Sequence, residues 1–284
     1  MIETAKSSPE STASDTERYL ASSARLQVDD IDWSLAARAG LTEKEVFILT
    51  YFSDIEGQTI MYLRDLLSTR AAEEPPVIAF LTMWNYEEFF HGEALARLLK
   101  ECGHSLEDAR IAKVRRSAGL SEALESFGAT MLSRIYAAEF PAVHAAWGAT
   151  QEITTLRGYE EVQRQTTNPV LKLLCDRIAK QERRHFAWYF NNAKERLSQS
   201  PRAQRLTRRL MSRFWSPVGA GVKSKQEVKQ LISLLFGAEG GWRLAEEIDA
   251  KIGSLPGLEG IQLMRPYIRG CFTDFVPPVK TAHA

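Results

Sequence analysis

The chain has 284 residues, enough for one sizeable core or two modest ones. Apolar content of 44% and charged content of 25% are ordinary for a water-exposed globular protein. Lys+Arg and Asp+Glu both number 36, so net charge gives no pull toward nucleic acid or an anionic membrane.

The three cysteines, Cys102, Cys175 and Cys271, are odd in number, far apart and without a CxxC pair. That argues against a disulfide framework or a zinc site and fits a reducing cytoplasm. The N-terminus lacks the apolar stretch of a secretory signal, and no run of ~18 apolar residues offers a membrane span. The Ser/Thr/Glu-rich stretch to about residue 16 reads as disordered.

Helix signals are strong from residue 42 onward and strand signals nearly absent. Thr42 to Glu45 forms a capping box that opens a first long helix, about 42 to 70. Its inward stripe is Leu49, Phe52, Glu56, Thr59, Ile60, Leu63 and Leu67. A second helix begins near Pro75 and Pro76 and stops at Gly103, with Leu81, Trp84, Glu88, His91, Leu95 and Leu98 inward. A third runs from near Pro141 to about 165, with Ala145, Gly148, Ala149, Glu152, Thr155 and Tyr159 inward. The fourth has Asn168 as N-cap and Pro169 at its first position, and runs to about 198. Its stripe is Leu171, Leu174, Ile178, Glu182, His185 and Tyr189.

All four stripes follow the 3–4 spacing of an amphipathic helix. The connection from about 104 to 138 is expected to hold a helix around Ser121 to Tyr136. A second capping box, Ser224 to Glu227, marks a helix in the C-terminal part. The expected organisation is an N-terminal segment 1–40, partly disordered, a four-helix bundle 41–200, and a helical extension 201–284 packed on it. One long crossover between the second and third helices makes the bundle all-α and ferritin-like.

Each stripe is interrupted near its middle by a carboxylate. Residues i and i+3 share a helix face, so Glu88-x-x-His91 and Glu182-x-x-His185 each aim an oxygen and a nitrogen in one direction. Glu56 lies 32 residues before Glu88, and Glu152 lies 30 before Glu182. Each half thus supplies a lone Glu and then a Glu-x-x-His. Four carboxylates buried together without a cation are strongly destabilising, whereas two divalent ions balance them. Oxygen-rich sites with one His per ion suit iron or manganese rather than structural zinc, and iron adds a redox change that can activate O₂. The expected metal ligands are therefore Glu56, Glu88, His91, Glu152, Glu182 and His185, holding two irons. Glu87, four before His91, is a rival to Glu88 that the symmetry with Glu182 disfavours. His144 is read as supporting or structural.

These motifs resemble those of soluble acyl-acyl carrier protein desaturases over about residues 42 to 198. Trp84 four before Glu88, with Gly92 directly after His91, is similar to that family's second-helix motif. Glu152-x-x-Thr155 resembles its third-helix motif, in which the Thr faces the oxygen-binding side. Glu182-Arg-Arg-His185 resembles its fourth-helix motif. The resemblance implies an O₂-dependent desaturase, probing an acyl chain on acyl carrier protein, with a ferredoxin-type electron donor and a homodimeric assembly. It makes Thr155 the catalytic side chain, steering a proton or water. Two departures stand out. Phe89 and Phe90 replace a usual polar pair, and Gln181 replaces an acidic residue at a position implicated in the electron route.

Some readings stay open at this level. Trp84 is an electron relay or a core aromatic. Ala145, Gly148 and Ala149 line a substrate channel or allow close helix packing. An N-oxygenase of the same superfamily carries an extra His one turn before the last Glu, where this chain has Ile178 and Ala179. A tyrosyl-radical subunit is disfavoured by Leu95. Iron-storage chains are usually shorter and form hollow cages. Between 201 and 230 eight basic residues, Arg202, Arg205, Arg208, Arg209, Arg213, Lys223, Lys225 and Lys229, face only Glu227. With Arg110, Lys113, Arg115 and Arg116 in the crossover, they are a solvated face or a docking surface for an acidic carrier or ferredoxin.

Overall fold

Side-chain caps at Asp32, Thr42, Asn168, Ser200 and Ser224 open five of the helices in the computed structural model, which describes residues 10–104, 131–220, 222–237 and 239–271. Among these residues every regular element is helical. In chain order they are α1 (Glu10–Ser22), α2 (Trp33–Ala39), α3 (Glu43–Glu56), α4 (Thr59–Leu67), a 3₁₀ turn (Arg70–Glu73), α5 (Pro75–Glu101), α6 (Phe140–Gln165), α7 (Pro169–Gln199), α8 (Pro201–Phe214), α9 (Lys225–Phe236), α10 (Glu239–Ile252) and α11 (Met264–Cys271). No helix among them is long and apolar enough to cross a membrane.

The bundle is α3, α5, α6 and α7. Both expected capping boxes form: Thr42 and Ser224 accept from the backbone N–H of Glu45 and Glu227, whose carboxylates reach back. Asn168 caps α7 by accepting from Val170 and Leu171. The same Asn168 amide donates to the carbonyls of Ala36 and Gly40, tying α2 to the head of α7. At the other end of that helix Arg196 makes a two-pronged pair with Glu74, just ahead of α5, at 2.9 and 2.6 Å. The four helices pack together as their 3–4 periodicity predicts.

Two expectations fail. The first long helix is broken: α3 stops at Glu56, Gly57 and Gln58 turn the chain, and α4 restarts at Thr59. The Thr59 hydroxyl donates to the Glu56 carbonyl at 2.9 Å, so the break leaves that acceptor satisfied. The restart rotates α4. Leu66 is buried, while Ile60 and Leu67, placed inward by the continuous stripe, are 45% and 54% exposed. Disorder to residue 16 is also overturned from Glu10 onward. Helix α1 packs on α5 and α7, and its buried Thr16 accepts from the Trp188 indole N–H at 2.8 Å. A low-hydropathy composition hid a helix whose inward contacts are threonines and Tyr19.

Of the helices after residue 200, α8 packs on α6 and α7, α10 on α6, and α9 on α3 and α6, while α11 packs on α9 and α10. Lys223 is part of this seam. Its side chain is only 4% exposed, and it pairs with Asp54 of α3 and with Glu227, so it is not one of the solvated basic residues. The basic residues of the crossover, and most of the helix expected at Ser121 to Tyr136, lie outside the described residues; 131–135 are helical.

Candidate metal centre

The four central helices bring six donors into one buried volume. Glu56 is the last residue of α3; Glu88 and His91 sit mid-way along α5, Glu152 on α6, and Glu182 and His185 on α7. His91, His185 and Glu182 are wholly buried, and Glu88, Glu56 and Glu152 nearly so. Their donor atoms fall into two overlapping sets, Glu56–Glu88–His91–Glu182 and Glu88–Glu152–Glu182–His185. Within each set the donor atoms lie within 4.8 Å of one another. Glu88 and Glu182 belong to both, as bridging carboxylates do.

Both imidazoles present Nδ1 to this volume. His91 Nδ1 is 3.3 Å from Glu88 and from Glu182. His185 Nδ1 is 3.1 Å from Glu88 and 3.5 Å from Glu152 and Glu182. Yet among the described residues neither Nδ1, neither oxygen of Glu182, nor Oε2 of Glu88 has a hydrogen-bond partner. Buried polar atoms are nearly always satisfied. Orphans concentrated on ligand-type atoms that converge on one point fit a pair of cations.

The outward nitrogens are held. His91 Nε2 lies 2.7 Å from Gln181 Oε1. The Gln181 amide donates from Nε2 to the Ala24 carbonyl and to Glu87, which fixes its oxygen toward His91 as acceptor. His185 Nε2 lies 2.8 Å from Glu87 Oε2. Each histidine therefore keeps a proton on Nε2 and turns Nδ1 inward, the nitrogen that becomes the donor once a metal displaces its proton. Of the lone carboxylates, Glu56 accepts from the Tyr159 hydroxyl at 2.6 Å, and Glu152 from the Trp84 indole at 3.1 Å.

The electrostatics show the strain of packing these groups together. Burial, then the neighbouring charge of Glu88, pushes the Glu56 carboxyl well above the usual range. Burial does the same to Glu152, with the charge of Glu182 adding to it. Burial opposes charge on His91 as well, but the carboxylates of Glu182 and Glu88 outweigh it and raise the imidazole to about 10. Groups so perturbed in one buried cluster mark a functional site, and divalent cations relieve the same crowding.

Glu87 is no rival ligand. It is wholly buried and points to the far side of His185, where it accepts from Tyr19, Ala24 N–H, Gln181, Arg184 and His185. Burial works against its charge, but the hydrogen bond and charge of His185 lead the groups that hold it at about 2. Tyr19 and Arg184 were not singled out from the sequence. Their contacts to Glu87 span 68 and 97 residues, and no local pattern announces them.

Thr155 is half-buried on α6, one turn after Glu152, and among the described residues no hydrogen bond joins it to the cluster. Ile178 is a wholly buried apolar side chain, so the position at which an N-oxygenase would supply a further histidine belongs to the core. Of the two readings of Ala145, Gly148 and Ala149, packing holds at Gly148, where a methyl would sit 2.4 Å from the Tyr189 ring. Gly92 serves a similar end, because a methyl there would come within 3.2 Å of Gly57 N and 3.3 Å of Glu56 Cβ. The His-Gly pair thus lets the end of α3, and Glu56 with it, approach α5.

Fold and donor set together define the class: a ferritin-like bundle with room for two metal ions at its centre. No family model matches the chain, and no curated protein matches it either. Among solved structures it is similar to a mutant of an R2-like ligand-binding oxidase with an aerobically reconstituted Mn/Fe cofactor, at a TM-score of 0.50 and 18% identity, over 92% of this chain and 91% of that one. A likeness at that identity establishes the ferritin-like fold.

Proposed function

We propose that this chain holds two divalent metal ions, iron foremost, on Glu56, Glu88, His91, Glu152, Glu182 and His185, and that it is an O₂-dependent oxidoreductase. The convergence of unpartnered His and Glu atoms in two sets sharing Glu88 and Glu182 carries this reading. Iron in such a site supplies the one-electron redox steps that O₂ chemistry requires. The chain's own groups keep the donors in register: Gln181 and Glu87 fix both imidazole tautomers, while Tyr159 and Trp84 each orient one lone carboxylate.

The substrate class we propose is an acyl chain on acyl carrier protein, with desaturation as the reaction and a ferredoxin-type donor supplying electrons to a homodimer. The Trp84/Glu88/His91-Gly92, Glu152/Thr155 and Glu182-Arg-Arg-His185 motifs support it. Manganese in one position is a second reading, favoured by the cofactor named for the similar oxidase.

The test is intact-mass analysis of a panel of acyl carrier protein thioesters after incubation with metal-loaded protein, reductant and O₂. Desaturation removes two hydrogens; hydroxylation adds one oxygen instead. Unchanged masses across the panel while O₂ is consumed contradict the acyl substrate and leave the oxidase reading. No O₂ consumption at all leaves metal binding alone. In an active preparation Thr155→Val is expected to keep its metal content but to form less product per electron consumed. An unchanged ratio reduces Thr155 to a packing residue.

A further inference from the structure

The residue one before each Glu-x-x-His motif grips the histidine of the other motif. Glu87, before Glu88, holds His185; Gln181, before Glu182, holds His91. The backbone arrangement is near-symmetric but the chemistry is not, for one grip is an ionised carboxylate and the other a neutral amide. A second asymmetry points the same way. Glu56, exclusive to the His91 set, gives up electron density to a 2.6 Å phenol hydrogen bond, whereas Glu152, exclusive to the His185 set, receives only a 3.1 Å indole N–H.

We infer that the two metal positions are unequal, the one built on Glu152 and His185 binding a divalent ion more tightly and filling first, with Glu87 and Gln181 as the positioning residues that set the order. The inference rests on the two-metal reading above.

A carboxylate accepting from Nε2–H leaves the imidazole a stronger donor at Nδ1 than an amide does, and such outer partners typically change metal affinity by about 10–100-fold. The Glu87 carboxylate is not isolated. Arg184 reaches its Oε1 at 2.8 Å, and the Ala24 N–H and the Gln181 amide meet the same oxygen. His185 and Tyr19 take Oε2. The cation thus sits on the oxygen away from the imidazole and keeps the carboxylate ionised and fixed. On the other side Gln181 has spent both amide hydrogens on Ala24 and Glu87. It can offer His91 only the carbonyl dipole.

The experiment is metal titration of the apo full-length protein with Co(II), followed by anomalous diffraction on crystals grown with one equivalent. Wild type is expected to bind two ions in separable steps. With one equivalent, occupancy at the His185 position should exceed that at the His91 position by about 10-fold or more. Q181E gives His91 a carboxylate of its own and should bring the ratio toward unity; E87Q should lower it by weakening the His185 position. A role confined to folding would change the total bound or the melting temperature but not the ratio. Equal wild-type occupancies, or a ratio unmoved in folded Q181E and E87Q proteins, overturns the inference while leaving the two-metal site standing. Fewer than two ions at saturation overturns both.

Discussion

His144 shows how burial alone tunes a residue here. It lies on α6, two turns before Glu152, in edge contact with Tyr189. Its Nε2 has no hydrogen-bond partner among the described residues. Burial, then the charge of Arg196, pushes the imidazole down to about 4, so it stays neutral near neutral pH. Because the folded value lies below that of the unfolded chain (~6.5), the unfolded state binds the extra proton between the two. The contribution of a neutral His144 is complete above about pH 6.5 and is lost as pH falls through about 4, at a cost on the order of 3 kcal/mol. His144→Leu is expected to flatten the difference in unfolding free energy between pH 7 and 4 relative to wild type. Parallel pH profiles by denaturant titration contradict that. At this scale the six donor residues were legible because their i, i+3 spacing and the two-fold repetition are properties of the chain itself. The grips of Glu87 and Gln181 were not, since each depends on which helix lies opposite.

The helices explain both the success and the limits of the sequence reading. Starts at Thr42, Asn168 and Ser224 are local capping chemistry, and α5 opens at Pro75, which suits a helix's first turn without a side-chain cap. The stop at Glu56 is not local in the same sense. The apolar stripe continues past it, and α3 ends at the C-cap Gly57, whose backbone lies close to Gly92 across the bundle. Helix α1 escaped notice because its polar composition mimics a disordered tail, although Thr12, Thr16 and Tyr19 are buried against the bundle. The small residues of α6 were ambiguous between channel and packing, and Tyr189 decides for packing at Gly148. Gly148→Ala should therefore destabilise the fold by about 1–3 kcal/mol through overpacking. Adding Tyr189→Leu should recover part of that loss, since the two sites are in contact. Thermal melts of the single and double variants check this. A neutral Gly148→Ala that instead changes the preferred acyl length would restore the channel.

For the molecule as a whole, zero net charge conceals an uneven surface. Structure thins the basic cluster: Lys223 is consumed by Asp54 and Glu227, Arg202 pairs with Glu139 at 3.1 Å, and Arg208 donates to the carbonyls of Gly257 and Glu259. Arg205, Arg209 and Arg213 remain exposed on α8, with Lys225 and Lys229 exposed on α9. Such a face would steer an acidic carrier or ferredoxin through association rate and specificity more than through affinity. Reversing Arg205, Arg209 and Arg213 together should raise the apparent KM for the carrier-bound substrate without altering metal content. The wild-type advantage should vanish near 1 M salt, where the Debye length is ~3 Å. Indifference of every acidic carrier to both the mutations and salt places docking elsewhere.

The central claim is that six side chains from four helices hold two metal ions. The most direct measurement is metal per chain after anaerobic loading of apo-protein with Fe(II) and removal of unbound metal, on wild type and on the double variant His91→Ala, His185→Ala. Two irons in wild type, with loss of loading in a double variant that still folds, is the predicted result. A wild type that retains no iron, or a double variant that loads fully, contradicts it.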